Sequence, residues 1–270
     1  MLNTEKLYQT PKDLEIRIST FGKYFQLEKP HQSEIQEMIG PLEEKRILDA
    51  GCGIGIPLLP FGPQLFEFPD MMGLDLSTAL LSYVRERQQA QNLPFKLIQA
   101  DIQNLPVVDK FFDLILCRHM LYHVSNISKA LSEFKRVLKP TGILIATTNS
   151  QQSKPELHKI HQDVLSSFPQ AVAIPRISSH FSAEIGERIL RRHFENVRMI
   201  PWYGVFRFPD VKTAMDYYSS TAYFQQALSE IHDRQKLYNI VKEKIQTIIN
   251  TNQVFTVHHW GAIFSAKITD

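Results

Sequence analysis

Between residues 46 and 150 short apolar runs alternate with stretches of helical periodicity. The runs at 46–50, 70–74, 95–99, 112–117 and 142–147 read as strands, each too short for a buried helix. Residues 77–91 and 126–138 read as helices between them, with Ser77 as N-cap of the first and Asn92 and Pro94 closing it. Strands joined by crossover helices predict an α/β fold: a parallel sheet with helices on both faces. Ahead of it, residues 1–45 read as polar, amphipathic and mostly helical, with Ile35, Met38 and Ile39 at helical spacing. The second half differs. Residues 151–180, with Pro155, Pro169 and Pro175, read as loop, followed by a helix over 182–194 and a strand over 196–206. Two helices, 209–220 and 223–250, precede a last strand over 254–268. In the longer one, Ala227, Leu228, Ile231, Tyr238, Val241, Ile245, Ile248 and Ile249 keep one apolar face.

Composition changes this picture little. At 270 residues, one domain of about 200–250 residues with or without a cap is expected. The expected division is an N-terminal helical lid segment, 1–45, and a main domain, 46–270, with the helices of 207–250 as a partial cap. The net charge is +2 with no long basic run, so no nucleic-acid partner is implied. Two cysteines, Cys52 and Cys117, are too few for a disulfide framework and favour a reduced setting. The polar N-terminus and the lack of any run near the ~18 apolar residues of a membrane span lead to the expectation of a cytoplasmic protein without membrane contact.

Candidate chemistry starts at Asp49-Ala50-Gly51-Cys52-Gly53-Ile54-Gly55, which follows a strand and leads toward a helix. Glycines there let the backbone turn tightly and approach a ligand at the carboxyl end of the strand. A dinucleotide loop would need glycine at 56, where Ile56 stands, and a phosphate-binding P-loop would need Gly-Lys-Ser/Thr, which is absent. Asp49 would repel a pyrophosphate and suits a positively charged group such as an amino acid's ammonium. Two more acids follow the next strands. Asp75, beside Leu76, can accept hydrogen bonds from ribose hydroxyls; its other reading is a helix N-terminal charge. Asp101 can accept from an adenine amino group while Ile102 packs on the ring.

In motif order, residues 46 to about 150 resemble the core of the class I S-adenosylmethionine-dependent methyltransferases. Asp49–Gly55 is similar to the family's first motif, with Asp49, Gly51, Cys52 and Gly53 at the cofactor. Asp75 falls on its ribose-binding acid, and Asp101 on its adenine-contacting acid. Phe112-Asp113-Leu114-Ile115, His119-Met120-Leu121-Tyr122-His123-Val124 and Leu138-Lys139-Pro140-Thr141-Gly142 resemble the later segments. The resemblance implies S-adenosylmethionine as cofactor and a Rossmann-like seven-stranded sheet whose last strand is antiparallel. Two departures stand out. Thr141 replaces a usual glycine, and Pro57, Pro60 and Pro63 crowd the region of the first crossover helix.

Methyl transfer needs an aligned acceptor, excluded water and, for some acceptors, a base. His119 and His123, four residues apart and expected on one helical face, are the candidate bases, with capping or packing as the other role open to each. A metal at this pair lacks the His-Glu-x-x-His pattern and is not expected. Tyr122 and Tyr24 are candidate acceptor contacts. Tyr24 belongs to a basic-aromatic face with Arg17, Phe21 and Phe25, read either as a lid over the acceptor or as core packing. Arg118 either reaches the cofactor's carboxylate or forms a surface pair. His258 and His259 lie on opposite faces of the last strand and read as satisfied strand histidines; His180 and Phe181 stand at a helix start, where they could line an entrance. The segment Cys117-Arg118-His119-Met120 lacks the Asn/Asp-Pro-Pro-Tyr of DNA amine methyltransferases. The aromatics Phe206, Phe208, Tyr217, Tyr218, Tyr223 and Phe224 suit an apolar ligand or a core. The expected acceptor is an oxygen or nitrogen of a small, secondary-metabolite-like molecule. The alternative is a scaffold that binds the cofactor, or an enzyme that uses it without methyl transfer. The oligomeric state is left open.

Overall fold

The computed structural model describes residues 10–29, 31–42, 44–55, 70–91, 96–168 and 176–268. Pro57, Pro60, Pro63, Asn92, Pro94, Pro169 and Pro175, and with them the expected first crossover helix, lie outside these residues. The strands are β1 (Phe25–Leu27), β2 (Ile47–Ala50), β3 (Met71–Asp75), β4 (Lys96–Gln99), β5 (Phe112–Arg118), β6 (Leu138–Asn149), β7 (Asn196–Phe208) and β8 (Phe255–Lys267). They are ordered β1-β7-β8-β6-β5-β2-β3-β4. β4, β3, β2, β5 and β6 pair in parallel, whereas β8 is antiparallel to β6. The sheet is mostly parallel with antiparallel last strands, and the α/β, Rossmann-like fold class holds.

By internal contacts the chain divides into two compact units. The second comprises Pro30–Gln151, Ser178–Trp202 and Gly261–Asp270. It contains β2 to β6 with the first part of β7 and the last part of β8, seven strands in all. β2 is buried at every position, as a strand covered on both faces must be, which is why its sequence shows no alternation. Helix Thr78–Gln91 starts where Ser77 accepts from the backbone N–H of Leu80 at 3.3 Å, and Ile127–Val137 starts where Asn126 accepts from Lys129 at 3.0 Å. The latter turns Ala130, Leu131, Phe134 and Val137 into a core shared with Leu48, Ile115, Leu144 and Phe264. The turn expected at Leu138–Gly142 is absorbed into β6. Pairing steps from Phe112↔Leu138 to Leu114↔Ile143, so the intervening residues bulge out of the ladder.

The first unit comprises Met1–Lys29, Gln152–Ile177 and Tyr203–Trp260. Here several expectations need correction. β1 lies in a segment read as helical: helix Lys12–Tyr24 ends at Phe25, which pairs antiparallel with Phe206 of β7. Its ring lies 5.0 Å from that of Phe206, a tertiary contact that overrides local periodicity. The segment read as loop from 151 contains helix Pro155–Leu165, because Pro155 stands in the first turn, where its missing N–H costs nothing. The long helix expected over 223–250 is two, Ala222–Glu230 and Arg234–Asn252, since Asp233 caps the second by accepting from Lys236 at 2.9 Å. Only Gly186–Leu190 of the helix expected over 182–194, which belongs to the second unit, is α-helical. The core of the first unit gathers Leu157, Val164, Phe206, Phe208, Tyr217, Tyr218, Phe224, Leu237 and Val241. Among the described residues no helix is long and apolar enough to cross a membrane.

Candidate active site at the carboxyl ends of the parallel strands

The carboxyl ends of β2, β3 and β5, with the turn after β4, bring Asp49, the glycine loop, Asp75, Asp101 and Arg118 to one end of the second unit. Gly51, Gly53 and Gly55 all have positive φ, at 76°, 58° and 71°, the left-handed region that side chains resist. At Gly51 a Cβ would also come within 2.4 Å of Met120 Cγ. The loop is held from both sides. The Gly51 and Cys52 N–H groups donate to the Leu74 carbonyl at 2.7 and 2.9 Å, and the Gly53 N–H donates to Asp75 Oδ2 at 2.8 Å. Asp75 Oδ1 accepts from the Ser77 N–H at 2.9 Å. The Leu76 N–H also bonds to this carboxylate, whose oxygens are acceptors of the kind a ribose hydroxyl needs. Burial raises the Asp75 carboxyl above its ordinary value, with Asp49 adding to the rise and the N–H bonds opposing it.

Asp49 is 1% exposed and its carboxylate faces Arg118: Nη2 lies 2.5 Å from Oδ2 and Nε 3.4 Å from Oδ1. The register makes this pair, because Asp49 stands beside Leu116 and Arg118 is two residues further along β5 on the same face. The acid offered to an ammonium and the guanidinium offered to a carboxylate are engaged with each other, and the pair is buried rather than at the surface. Cys52 is buried with its Sγ over Gly73, and burial, reinforced by Asp49 and Asp75, pushes its thiol pKa well up. Asp101 is exposed and accepts from the Gln103 N–H at 2.9 Å and from the Gln103 amide. Ile102 does not lie open to a ring; it is 3% exposed and joins the core. The exposed apolar side chain beside these acids is Leu76, at 55%.

His119 and His123 do not share a helical face. His119 closes β5 in a left-handed conformation, φ 49°, and only Leu121–His123 forms a 3-10 turn. The turn is set by Leu121, which is buried in the core, and by the His123 N–H donating to Met120 at 2.8 Å. The His119 N–H donates to the Thr147 carbonyl and hydroxyl, and its ring meets Trp202 edge-on at 6.4 Å, a neighbour no local pattern foretold. Tyr122 lies against His123 at 4.6 Å between ring centroids. Phe181 is fully buried against Phe264 and lines no entrance, while His180 is exposed at the end of a 3-10 turn.

In the first unit Tyr24 packs beside Phe208 and Phe21 stacks on Phe25 at 4.2 Å. Phe21 and Phe25 pack against a core that includes the buried Phe206, Tyr217 and Phe224. His258 bonds to Glu156, and His259 lies buried with Nδ1 2.6 Å from Ser153 Oγ. Among the described residues no group of three or more His, Cys, Asp or Glu could hold a metal ion.

Residues 48–146 match the family model of a methyltransferase domain. Among curated proteins, the chain is 30% identical over 145 residues to a malonyl-[acyl-carrier protein] O-methyltransferase of Pseudescherichia vulneris, covering 54% of this chain and 55% of that one. It is 33% identical over 128 residues to a 2-phytyl-1,4-naphtoquinone methyltransferase of Nostoc punctiforme, covering 47% and 56%. The chain thus spans about half the length of these curated relatives. Among solved structures, the [4+2]-cyclase SpnF shares the fold with a TM-score of 0.57 at 14% identity, over 99% of this chain and 96% of that one. With the motif residues gathered at the strand ends, residues 48–146 are similar to a methyltransferase domain, and the mostly parallel Rossmann-like sheet agrees with a class I, S-adenosylmethionine-dependent methyltransferase fold.

Proposed function

We propose that the protein transfers a methyl group from S-adenosylmethionine to an oxygen or nitrogen of a small molecule. The observation that carries this reading is the glycine loop, turned through three positive-φ positions that glycine alone adopts without cost and tied through Gly53 to the carboxylate of Asp75. With no side chains there, the backbone of the loop can come close to a ligand. Gly51, Cys52 and Gly53 would hold the amino-acid part of the cofactor with their backbone, and Asp75 the ribose, while Leu76 and Asp101 would face the adenine. Asp49 and Arg118 would act as a neutral pair that braces the loop. When bound, the cofactor supplies an electrophilic methyl on a sulfonium. His119, beside Trp202, and His123, beside Tyr122, are the groups proposed to take a proton from the acceptor, and Tyr122 to contact it. The relatives named for malonyl-acyl-carrier-protein and quinone acceptors support an acceptor that is not a nucleic acid. A second reading, cofactor binding without methyl transfer, is favoured by the cyclase that shares the fold over nearly the whole chain.

Calorimetry with S-adenosylmethionine, S-adenosylhomocysteine and nicotinamide dinucleotides tests the proposal. The two sulfur compounds are expected to bind. Binding of a nicotinamide dinucleotide alone would overturn the reading.

A further inference from the structure

Helix Pro155–Leu165 carries His158 and His161 three positions apart, so both lie on one face. His161 is 3% exposed, with Nδ1 2.6 Å from the Tyr218 hydroxyl. Its Nε2 is buried and has no hydrogen-bond partner among the described residues, and the same is true of His158 Nδ1. The Tyr223 ring lies 5.8 Å from that of His158 and 5.4 Å from that of His161. Arg176 donates to the Tyr223 side chain and to the Ser153 carbonyl, yet among the described residues no carboxylate pairs with it. The two acids on the helix are engaged elsewhere, Glu156 with His258 and Asp163 with Lys244. All of these residues belong to the first unit.

A buried polar nitrogen without a partner carries a desolvation cost that native structures rarely leave standing. Two such nitrogens beside a guanidinium that meets no carboxylate among the described residues mark a place built for a polar ligand. We propose that His158, His161, Tyr223 and Arg176 bind the carboxylate of a small, otherwise apolar molecule. The guanidinium matches a planar carboxylate with parallel N–H groups. With the Tyr218 hydroxyl donating to Nδ1 of His161, the ring's proton sits on Nε2 and points a second donor at the same group. Burial keeps both imidazoles neutral, that of His161 with its pKa pushed down to about 4, so the cluster presents one positive charge. That matches one carboxylate; an ammonium would meet Arg176, and a phosphate dianion would bring a charge with no second cation. Phe224, 5.5 Å from Tyr218, supplies an apolar wall. His158, Tyr223 and Arg176 are half-buried, whereas His161 is buried, so the proposed rim is the more exposed side of the cluster.

Binding here goes beyond methyl transfer and is measured without the cofactor. The full chain is titrated with sodium benzoate while the imidazole NMR resonances of His158 and His161 are followed. Benzyl alcohol, benzylamine and inorganic phosphate serve as comparisons. Benzoate is expected to shift both resonances saturably and the other three are not. Arg176→Gln should weaken benzoate at least about tenfold, the loss of one charge-assisted bond, while Arg176→Lys recovers part of it. Should Arg176→Gln fail to fold, His158→Phe at the half-buried rim reads the same loss. Absence of a saturable shift, an equal response to benzylamine or phosphate, or full affinity in the folded variants overturns the proposal. S-adenosylmethionine affinity, measured on the same preparations, is expected to be unchanged in these variants, so failure of one reading is distinguishable from failure of the other.

Discussion

Replacing Arg118 by Met removes the counter-charge that, among the described residues, faces a carboxylate 1% exposed. Both oxygens of Asp49 face the guanidinium, at 2.5 and 3.4 Å, and the strand around them is buried at every position. Water therefore cannot replace the lost partner without opening the sheet. Breaking a buried pair from one side costs about 3–5 kcal/mol, a large part of the 5–15 kcal/mol that holds a typical domain. The assay is equilibrium urea unfolding, with an unchanged m-value to show that the unfolding reaction is the same. The double variant Asp49→Asn/Arg118→Met removes the stranded charge and leaves an amide, whose burial costs about 1–3 kcal/mol. It should recover about 2 kcal/mol relative to the single variant, a coupling within the range of contacting residues. A single variant within about 1 kcal/mol of the parent, or a double variant as unstable as the single, would refute the reasoning.

Gly51→Ala forces a side chain onto φ 76° and into Met120, so a loss of about 2 kcal/mol and of S-adenosylmethionine binding is expected in unfolding and calorimetry. Adding Met120→Ala should relieve the contact but not the backbone strain. Asp75→Asn should weaken the cofactor by about 10- to 100-fold, the worth of hydrogen bonds to a charged group, and unchanged calorimetric affinity would remove Asp75 from the site. With a turned-over acceptor in hand, His119→Ala or His123→Ala should lower the rate by about 10²–10⁴-fold; unchanged rates in both exclude them as base. The depressed pKa of His161 makes its stabilising contribution full above its unfolded value of 6.5 and lost as pH falls toward about 4. Across that window the loss amounts to about 3 kcal/mol, and His161→Gln should flatten the stability profile there; an unchanged slope counts against a buried neutral ring.

The glycine turn and the acids after successive strands were legible because they depend on residues close in sequence. A strand's apolar run, the Ser77 cap and the need for glycine at left-handed positions are all set by local chemistry. The Asp49–Arg118 pair was not legible, since 69 residues separate partners that the strand register alone makes neighbours. Nor was the 3-10 turn at Leu121–His123, where burial of one leucine overrides the i, i+4 spacing of the two histidines. Strand β1 exists because Phe25 finds Phe206 across the fold, and the bond between His161 and Tyr218 spans 57 residues. Local sequence by itself determined that the backbone turns at Gly51–Gly55 and which acids stand at the strand ends. Only the tertiary structure decided which charges neutralise each other and which aromatics pack. Those outcomes depend on the dielectric and the partners that burial brings, and no short stretch of chain carries either.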